Sequence, residues 1–147
     1  DRYSVTHERM RGALKALHDA GLQLAGEARF GPWEAEWGRA AARLLLNDGA
    51  AFDAVICQND VLARGCIEEL ERNGCRVPQD VAVIGHDNSP DYVSYAHPLL
   101  TSIDDNNEML GRQAALCLLD AIAGHPHHGV ERVPVKLIQR ESTLPLD

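Results

Sequence analysis

The sequence predicts an α/β protein with a doubly wound parallel sheet. Short apolar segments alternate with helical patterns along the chain, and several of the apolar segments end directly on polar residues. Parallel strands need a crossover connection, usually a helix, so this alternation is typical of such a sheet. The length of 147 residues fits one domain or one subdomain of a larger protein.

The chain opens on a predicted helix from Ser4 to Ala20, where apolar residues recur at helical spacing and Gly21 provides a stop. Residues 22–30 alternate loosely and predict a strand. A second helix is predicted over 33–46, because two tryptophans and several leucines and alanines recur at steps of three and four. A doubly wound unit normally opens on a strand, so we expect a further strand before Asp1 and interpret the chain as a fragment.

The middle of the chain contains the two strands on which the fold prediction depends. The almost wholly apolar run Phe52–Cys57 predicts a strand buried on both faces of a parallel sheet. A helix is predicted from Val61 to about Asn73, and the β-branched run Val81–Gly85 predicts the next strand. The order strand, helix, strand is therefore repeated.

Three further elements are predicted in the last third of the chain. Leu100–Ile103 is a short extended segment, and Asn106–Ala123 has the apolar spacing of a helix. The alternating segment Arg132–Ile138 predicts a last strand before a polar tail.

The composition excludes two classes of partner. Lys and Arg number 14 against 22 Asp and Glu, which gives a formal charge of -8. Because this field repels phosphate, we do not expect the chain to bind DNA by itself. No run approaches the roughly 18 apolar residues that a membrane helix needs, so we expect no membrane partner and a cytoplasmic location.

The metal-binding residue types show no recognisable ligand spacing. The four cysteines form no CxxC pair, and we expect them to be buried, reduced thiols. The cluster His125-Pro126-His127-His128 lies in a stretch bounded by glycine and containing proline, which predicts a solvated loop. We therefore predict neither a metal site nor a cofactor.

Polar residues follow three of the predicted strands. They are Gln58-Asn59-Asp60, His86-Asp87-Asn88 and Asp104 to Asn107. Ligands of parallel sheets bind beyond these carboxyl ends, and Asp and Asn suit hydroxyl-rich ligands because they offer several hydrogen bonds. Trp33 or Trp37 could add an apolar face for a sugar ring. The same Asp and Asn residues are equally typical of helix caps and turns, and Asp60 fits a cap best.

An enzymatic function finds little support. The GxSxG, GxxxxGK[ST] and GxGxxG motifs are absent from the sequence. Cys57 and His86 could form a nucleophile and base on adjacent strand ends, but an apolar strand raises the pKa of a cysteine and disfavours its thiolate. We predict that the chain is not an enzyme.

Several segments match a known family in both order and spacing. They are Ala54 to Asp60, Gly74 with Arg76 to Asp87, Pro98 to Ile103, Leu110-Gly111 and the closing Arg140-Glu141-Ser142-Thr143. Together they closely resemble the lactose/galactose repressor family. The amino-terminal third fits more loosely through Arg9-Met10-Arg11-Gly12, so the resemblance covers nearly the whole chain.

The resemblance implies a periplasmic-binding-protein-like effector domain. About 1–103 and 131–147 would form its carboxyl-terminal subdomain, and about 104–130 would contain a crossover helix belonging to the amino-terminal subdomain. A DNA-binding headpiece would lie elsewhere in the complete protein. Dimer contacts would come from the helix at 61–73 and from the stretch around Tyr95.

The resemblance also implies five effector contacts: Arg9, Trp33, Asn59, Asp87 and Asp105. Trp33 would stack on the ligand. Asp105 departs from the family, which often has Gln at this position. A carboxylate there favours a hydroxyl donor and disfavours an anionic group, although Arg9 could still receive one carboxylate or phosphate oxygen.

The implied function is the sensing of a small molecule, most simply a sugar, that shifts a two-state hinge and so alters operator affinity. A periplasmic sugar-binding protein of an uptake system is the alternative with the same fold.

Overall fold

The computed structural model describes residues 2–49 and 51–143. Residues 144–147, which the domain prediction includes, lie outside this part of the chain. Its helices are α1 (Arg2–Asp19), α2 (Ala35–Asn47), α3 (Asp60–Arg72), α4 (Pro90–Val93) and α5 (Asn107–Ile122). Its strands are β1 (Ala54–Ile56), β2 (Ala82–His86), β3 (Thr101–Asp104) and β4 (Lys136–Ile138). Within the described residues, no helix is both long and apolar enough to cross a membrane.

The four strands form one sheet in the order β1-β2-β3-β4. β1, β2 and β3 are parallel, and α3 connects β1 to β2. β4 runs antiparallel to β3, with Leu137 opposite Ile103. The prediction of an α/β fold with a parallel sheet is confirmed, but its last strand runs in the opposite direction. After α5 and residues 123–135 the chain returns to the sheet beside the carboxyl end of β3, where Lys136 pairs with Asp104, so β4 runs back along β3.

Two predictions about the first half of the chain are wrong. Residues 22–30 form no strand, and Leu22 and Leu24 are exposed, because this segment has no neighbouring strand with which to form a hydrogen-bonded ladder. β1 is not buried on both faces, since Ile56 is 53% exposed and Ala54 is also exposed. β1 lies at the edge of the described sheet, where an apolar cavity of about 360 Å³ separates it from α1.

The core lies between the sheet and the α2–α3 helix pair. Two glycines allow these helices to approach each other closely. A Cβ at Gly38 would lie 2.3 Å from the carbonyl oxygen of Leu62, and one at Gly65 would lie 2.0 Å from that of Ala35. The backbones therefore touch, and neither helix can carry a larger residue at this crossing. The buried apolar residues of this core are Ala42, Ala63, Cys66, Ile67, Leu70, Val77, Val81, Val83, Val93 and Leu100.

The segment Arg140 to Thr143 is a structural tie across the sheet. The buried Ser142 donates its hydroxyl to the carbonyl of Val83 on β2 and accepts the backbone N–H of Thr101 on β3. Arg140 donates to the carbonyl of Leu100 at 2.8 Å. These bonds satisfy backbone groups that would otherwise be buried without partners. The closing motif of the sequence thus fixes the position of β3 beside β2.

Candidate functional site

The carboxyl ends of β1, β2 and β3 meet at one edge of the sheet, as their parallel arrangement requires. The edge brings together Gln58 and Asn59 after β1, His86 and Asp87 at the end of β2, and Asp105 after β3. These residues come from three separate parts of the sequence. The edge is the candidate ligand site that the sequence predicts.

Arg9 reaches this edge from α1. Its Nη1 donates to the backbone carbonyl of Gln58 at 2.7 Å, and its Nη2 lies 3.8 Å from a carboxylate oxygen of Asp105. The guanidinium carbon is also 5.9 Å from the ring centroid of Trp33, within the range of a cation–π contact. The structure therefore joins three of the five predicted contacts, and Trp33 remains 45% exposed beside the site.

His86 lies between two carboxylates. Its Nδ1 is 3.2 Å from Oδ1 of Asp87, and its Nε2 is 3.4 Å from Oδ1 of Asp105. The His86 side chain is only 10% exposed, whereas Asp87 and Asp105 are 42% and 31% exposed. A neutral imidazole has one N–H and donates to one of these carboxylates, while the oxygens of both acidic side chains stay accessible, an arrangement suited to accepting hydrogen bonds from hydroxyl groups.

Asp87 and Asn88 have unusual backbone conformations for residues other than glycine. Their φ angles are +99° and +50°, in the left-handed region. This conformation costs of order 1–2 kcal/mol per residue. Two hydrogen bonds to β3 stabilise it. Asp87 N–H donates to the carbonyl of Ile103 at 2.9 Å, and Asn88 N–H donates to the hydroxyl of Ser102 at 3.0 Å. The backbone is thus turned so that Asp87 stands at the rim of the site.

The cap of α3 is Asn59 and not Asp60, the residue that the sequence favours for this role. Asn59 is the N-cap of α3, since its Oδ1 accepts the backbone N–H of Leu62 at 2.8 Å. The interpretation of Asp60 as the cap is wrong, because Asp60 is the first residue of the helix and its carboxylate turns inward. The cap occupies the amide oxygen of Asn59 and leaves its NH₂ group to make any contact with an effector. That contact remains a prediction.

Asp60, which follows β1, connects the ends of β1, β2 and β3 through hydrogen bonds of its buried carboxylate. It is 1% exposed, accepts the hydroxyl of Ser102 at 2.6 Å and accepts the backbone N–H of Ser89 at 2.8 Å. A Cβ at Gly85 would lie 2.2 Å from its Oδ1, so only glycine leaves room for this carboxylate. Burial raises the pKa of the Asp60 carboxyl above its ordinary value, against the opposing effect of the two hydrogen bonds.

The raised pKa of Asp60 predicts a specific pH dependence of stability. The folded state holds this proton more tightly than the unfolded state, so the contribution is fully present below the ordinary pKa of 3.8 and is lost as the pH rises through the raised value. The Asp60→Asn variant has no carboxyl group that titrates at this position, so its free energy of unfolding lacks this pH dependence. We expect its free energy of unfolding to rise relative to wild type as the pH increases above the ordinary pKa of 3.8, in parallel urea titrations.

Asp80→Asn is the matched control for this experiment. Arg76 lowers the pKa of Asp80 through side-chain hydrogen bonds, so the stability due to Asp80 is present above its ordinary pKa and is lost at lower pH. That loss occurs as the pH falls below the ordinary pKa of 3.8, so above this pH the free energy of unfolding of the control should keep nearly the same pH dependence as that of wild type. If the free energy of unfolding of Asp60→Asn depends on pH in the same way as that of wild type over this range, the raised pKa of Asp60 is contradicted.

The structure disfavours Cys57 as a nucleophile. A hydrogen bond with Cys66 and burial together raise the pKa of the Cys57 thiol well above its ordinary value, in the direction that the sequence predicts. The four cysteines are free thiols, but the predicted burial holds fully only for Cys66, because Cys57, Cys75 and Cys117 are partly exposed. The two ring nitrogens of His86 lie next to carboxylates and not next to the Cys57 thiol.

Two participants in this site, Gln58 and His86, are not among the five predicted effector contacts. Both lie among the polar residues that the sequence places at the strand ends, and the His86 side chain contacts two of the predicted residues. Gln58 contributes through its backbone carbonyl, for which a side-chain pattern gives no signal. The side-chain Oε1 of Gln58 is buried and has no hydrogen-bond partner within the described part of the chain.

Comparison with known proteins identifies the fold family. A model described as "periplasmic binding protein-like domain" matches residues 1–143. The chain belongs to this family. It is 36% identical over 145 residues to the HTH-type transcriptional repressor CytR of Escherichia coli K12, covering 97% of this chain and 42% of that protein. The chain thus spans less than half the length of the curated relatives that it matches.

Solved structures support the same assignment. The dimeric Lac repressor with an 11-residue C-terminal deletion has a TM-score of 0.89 and 31% identity, covering 97% of this chain and 52% of that one. The transcriptional regulator CelR in complex with cellobiose has a TM-score of 0.77 and 35% identity, covering 92% of this chain and 42% of that one. The resemblance to the lactose/galactose repressor family is confirmed, and the chain is an effector-binding domain of this type.

Proposed function

We propose that this chain is the sensing and dimerisation part of a LacI-type transcriptional regulator, and that it has no enzymatic role. The observation that carries the proposal is the convergence of Arg9, Asp87 and Asp105 around His86 and the Gln58 carbonyl at one edge of the sheet. Relatives with similar sequences are named as transcriptional repressors or regulators. Operator DNA would be bound by a headpiece outside this chain, and the regulator would act in the cytoplasm.

The effector is proposed to be an uncharged polyhydroxylated molecule such as a sugar. The charge of Arg9 is already partly engaged by Asp105, and the site exposes the carboxylates of Asp87 and Asp105. A phosphate or carboxylate group on the ligand would meet these negative charges, whereas hydroxyl groups would donate to them. A solved relative, CelR, is described as a complex with cellobiose.

The chain is proposed to divide between two subdomains. Residues of about 1–103 and 131–147 would belong to the carboxyl-terminal subdomain, and about 104–130 would cross to the amino-terminal one. None of the described residues of α5 is buried, and Leu118, Leu119 and Ile122 are more than half exposed. Such an apolar helix needs a covering partner, which an amino-terminal subdomain would supply.

The regulator is proposed to act as a two-state homodimer. Effector bound between the subdomains would favour one hinge arrangement and so change the spacing of the headpieces. α3 and the stretch around Tyr95, which is 60% exposed, would contribute to the dimer contact. A solved relative is described as a Lac repressor dimer bound to operator. The alternative of a periplasmic sugar-binding protein is less favoured, because the named relatives are regulators.

The test is effector binding by the full-length protein. We would screen neutral sugars, including cellobiose, galactose and ribose, together with glucose 6-phosphate and ribose 5-phosphate, by thermal shift and then by calorimetry. We expect at least one neutral sugar to bind and to change operator affinity. Removal of one charged hydrogen-bonding group should weaken that sugar about 10- to 100-fold, so Asp87→Ala should lose most of the binding.

Asn59→Ser separates ligand binding from the helix cap. A serine hydroxyl can still cap α3, so the free energy of unfolding should change by less than about 0.5 kcal/mol, whereas the amide donor is lost. Asp91→Ala, at an exposed position of α4, is the matched control for Asp87→Ala and should bind normally. Tight binding of a sugar by both site variants would contradict the site, and exclusive binding of sugar phosphates would contradict the neutral effector.

A further inference from the structure

A second group of potential metal ligands lies far along the chain from the effector site, on one face of α5. Gln113, Cys117 and Asp120 follow each other at steps of four and three, which places their side chains along one stripe of the helix. Cys117 is half-buried, whereas the side chain of Asp120 is 54% exposed. The stripe thus presents a thiol and a carboxylate to whatever covers it.

The loop after α5 turns back over this stripe. Gly124 adopts a φ of +88°, and His125 N–H donates to the carbonyl of Asp120 at 2.9 Å, so the chain reverses at the helix end. The reversal places His127 Nε2 2.8 Å from Oδ2 of Asp120. It also places Glu131 against the stripe, where it accepts from Cys117 Sγ at 3.2 Å.

Three different donor types meet at this point. Cys117, His127 and Glu131 each offer a ligand atom, and these atoms all lie within 4.8 Å of one another. Ligands at zinc distances of about 2.0–2.3 Å in a tetrahedron are separated by roughly 3.5 Å. The Cys117–Glu131 distance of 3.2 Å already fits that separation. The remaining approach is therefore at most about 1.3 Å, which the exposed loop side chains of His127 and Glu131 can make by changes of rotamer.

We propose that Cys117, His127 and Glu131 form a zinc site that ties the carboxyl end of α5 to the loop leading to β4. A thiolate, an imidazole and a carboxylate are the ligand types that Zn²⁺ takes. Mg²⁺ and Ca²⁺ prefer all-oxygen sets, so the thiol and the imidazole select against them. The fourth position is open to water or to a neighbouring histidine of the loop.

Asp120 is the residue that positions the His127 imidazole in this site. An imidazole that binds a metal through one ring nitrogen commonly donates its other ring N–H to a carboxylate, which fixes the orientation of the ring. The existing contact between His127 and Asp120 supplies that carboxylate. Sequence spacing alone favoured a solvated loop here, because Cys117 and Glu131 approach His127 only when the loop folds back on the helix.

The test uses full-length protein from which any affinity tag has been removed and the metal depleted. Co²⁺ is the spectroscopic probe, since a cobalt–thiolate bond gives an intense near-ultraviolet charge-transfer band. We expect this band to appear with about one equivalent of Co²⁺, and Zn²⁺ to displace it. Cys117→Ser should abolish the band, and His127→Ala should weaken Co²⁺ and Zn²⁺ binding by about 100-fold or more.

Matched controls remove the same residue types elsewhere. Cys75→Ser removes another incompletely buried thiol, and His18→Ala removes a histidine with a 90% exposed side chain. Both should keep the band and the affinity. Circular dichroism verifies that each variant is folded, and Cys117→Ala provides a second variant at the same position.

Two outcomes would overturn the zinc site. One is the absence of a cobalt–thiolate band in the wild type. The other is a band that persists in both Cys117 variants, or that Cys75→Ser removes. Binding at the effector site through His86, Asp87 and Asp105 involves no thiolate, so Co²⁺ held there would give no such band.

Discussion

Gly65→Ala is expected to destabilise the protein by about 3 kcal/mol or more, because a methyl group cannot enter the contact between α2 and α3 without separating two backbones. The added Cβ would lie 2.0 Å from the carbonyl oxygen of Ala35 and 2.9 Å from its carbonyl carbon. Neither atom belongs to a flexible side chain that could move aside. Urea unfolding of the full-length protein, followed by circular dichroism, measures the loss.

Gly12→Ala is the matched control for this substitution. Gly12 also lies within a helix, α1, and an added Cβ would meet nothing within 4 Å. Alanine should therefore stabilise α1 by about 0.5–1 kcal/mol through its higher helix propensity. Gly38→Ala tests the same crossing from the other helix. A loss of less than about 1 kcal/mol in both Gly65→Ala and Gly38→Ala would show that the helices can separate at little cost, contrary to expectation.

Arg64→Met should cost about 4 kcal/mol, since it leaves several buried acceptors without a partner. The Arg64 residue is 3% exposed and donates to the carbonyls of Tyr92, Val93 and Pro98. Methionine keeps much of the side-chain length but donates no hydrogen bond. The guanidinium also lies 5.2 Å from the ring centroid of Tyr95, so the substitution should loosen the stretch proposed for the dimer contact.

Arg72→Met, on the same helix, separates this effect from a general loss of charge. The Arg72 side chain is 63% exposed and lies 3.9 Å from Glu69, a surface ion pair worth less than about 1 kcal/mol. Unfolding titrations of the two variants in parallel give the comparison. Sedimentation velocity would show whether Arg64→Met also weakens the dimer, while equal stability of both variants would contradict the anchoring role of Arg64.

The positions of the strand ends could be predicted because they depend on short local patterns. The β-branched run that became β2 and the apolar run that became β1 are both visible in the sequence, and parallel strands bring their polar ends to one edge. Asp87 and Asp105 were therefore expected near each other before their distances were known, whereas only the family resemblance placed Arg9 of α1 beside them. The hydrogen bond from Arg9 to the Gln58 carbonyl could not be predicted, because backbone acceptors have no sequence signature.

The roles of Asn59 and Asp60 show where local reasoning fails. Both residue types cap helices well, so adjacent positions could not be distinguished by propensity. The choice depends on Ser102 and Ser89, which lie 42 and 29 residues away from Asp60 in the chain and supply the donors that turn its carboxylate inward. Once Asp60 is buried by these bonds, the cap of α3 is left to Asn59.

The sequence by itself determined the α/β class, the order of most helices and strands, the free thiols and the family, since periodicity and linked motifs are local properties of the chain. Only the tertiary structure decided that β4 runs antiparallel, that residues 22–30 lack a strand partner, and that Asn59 rather than Asp60 caps α3. The feature most typical of this site, polar residues after Cys57, was visible from the start. Its division into a cap and a buried anchor depends on distant contacts, which no local pattern encodes.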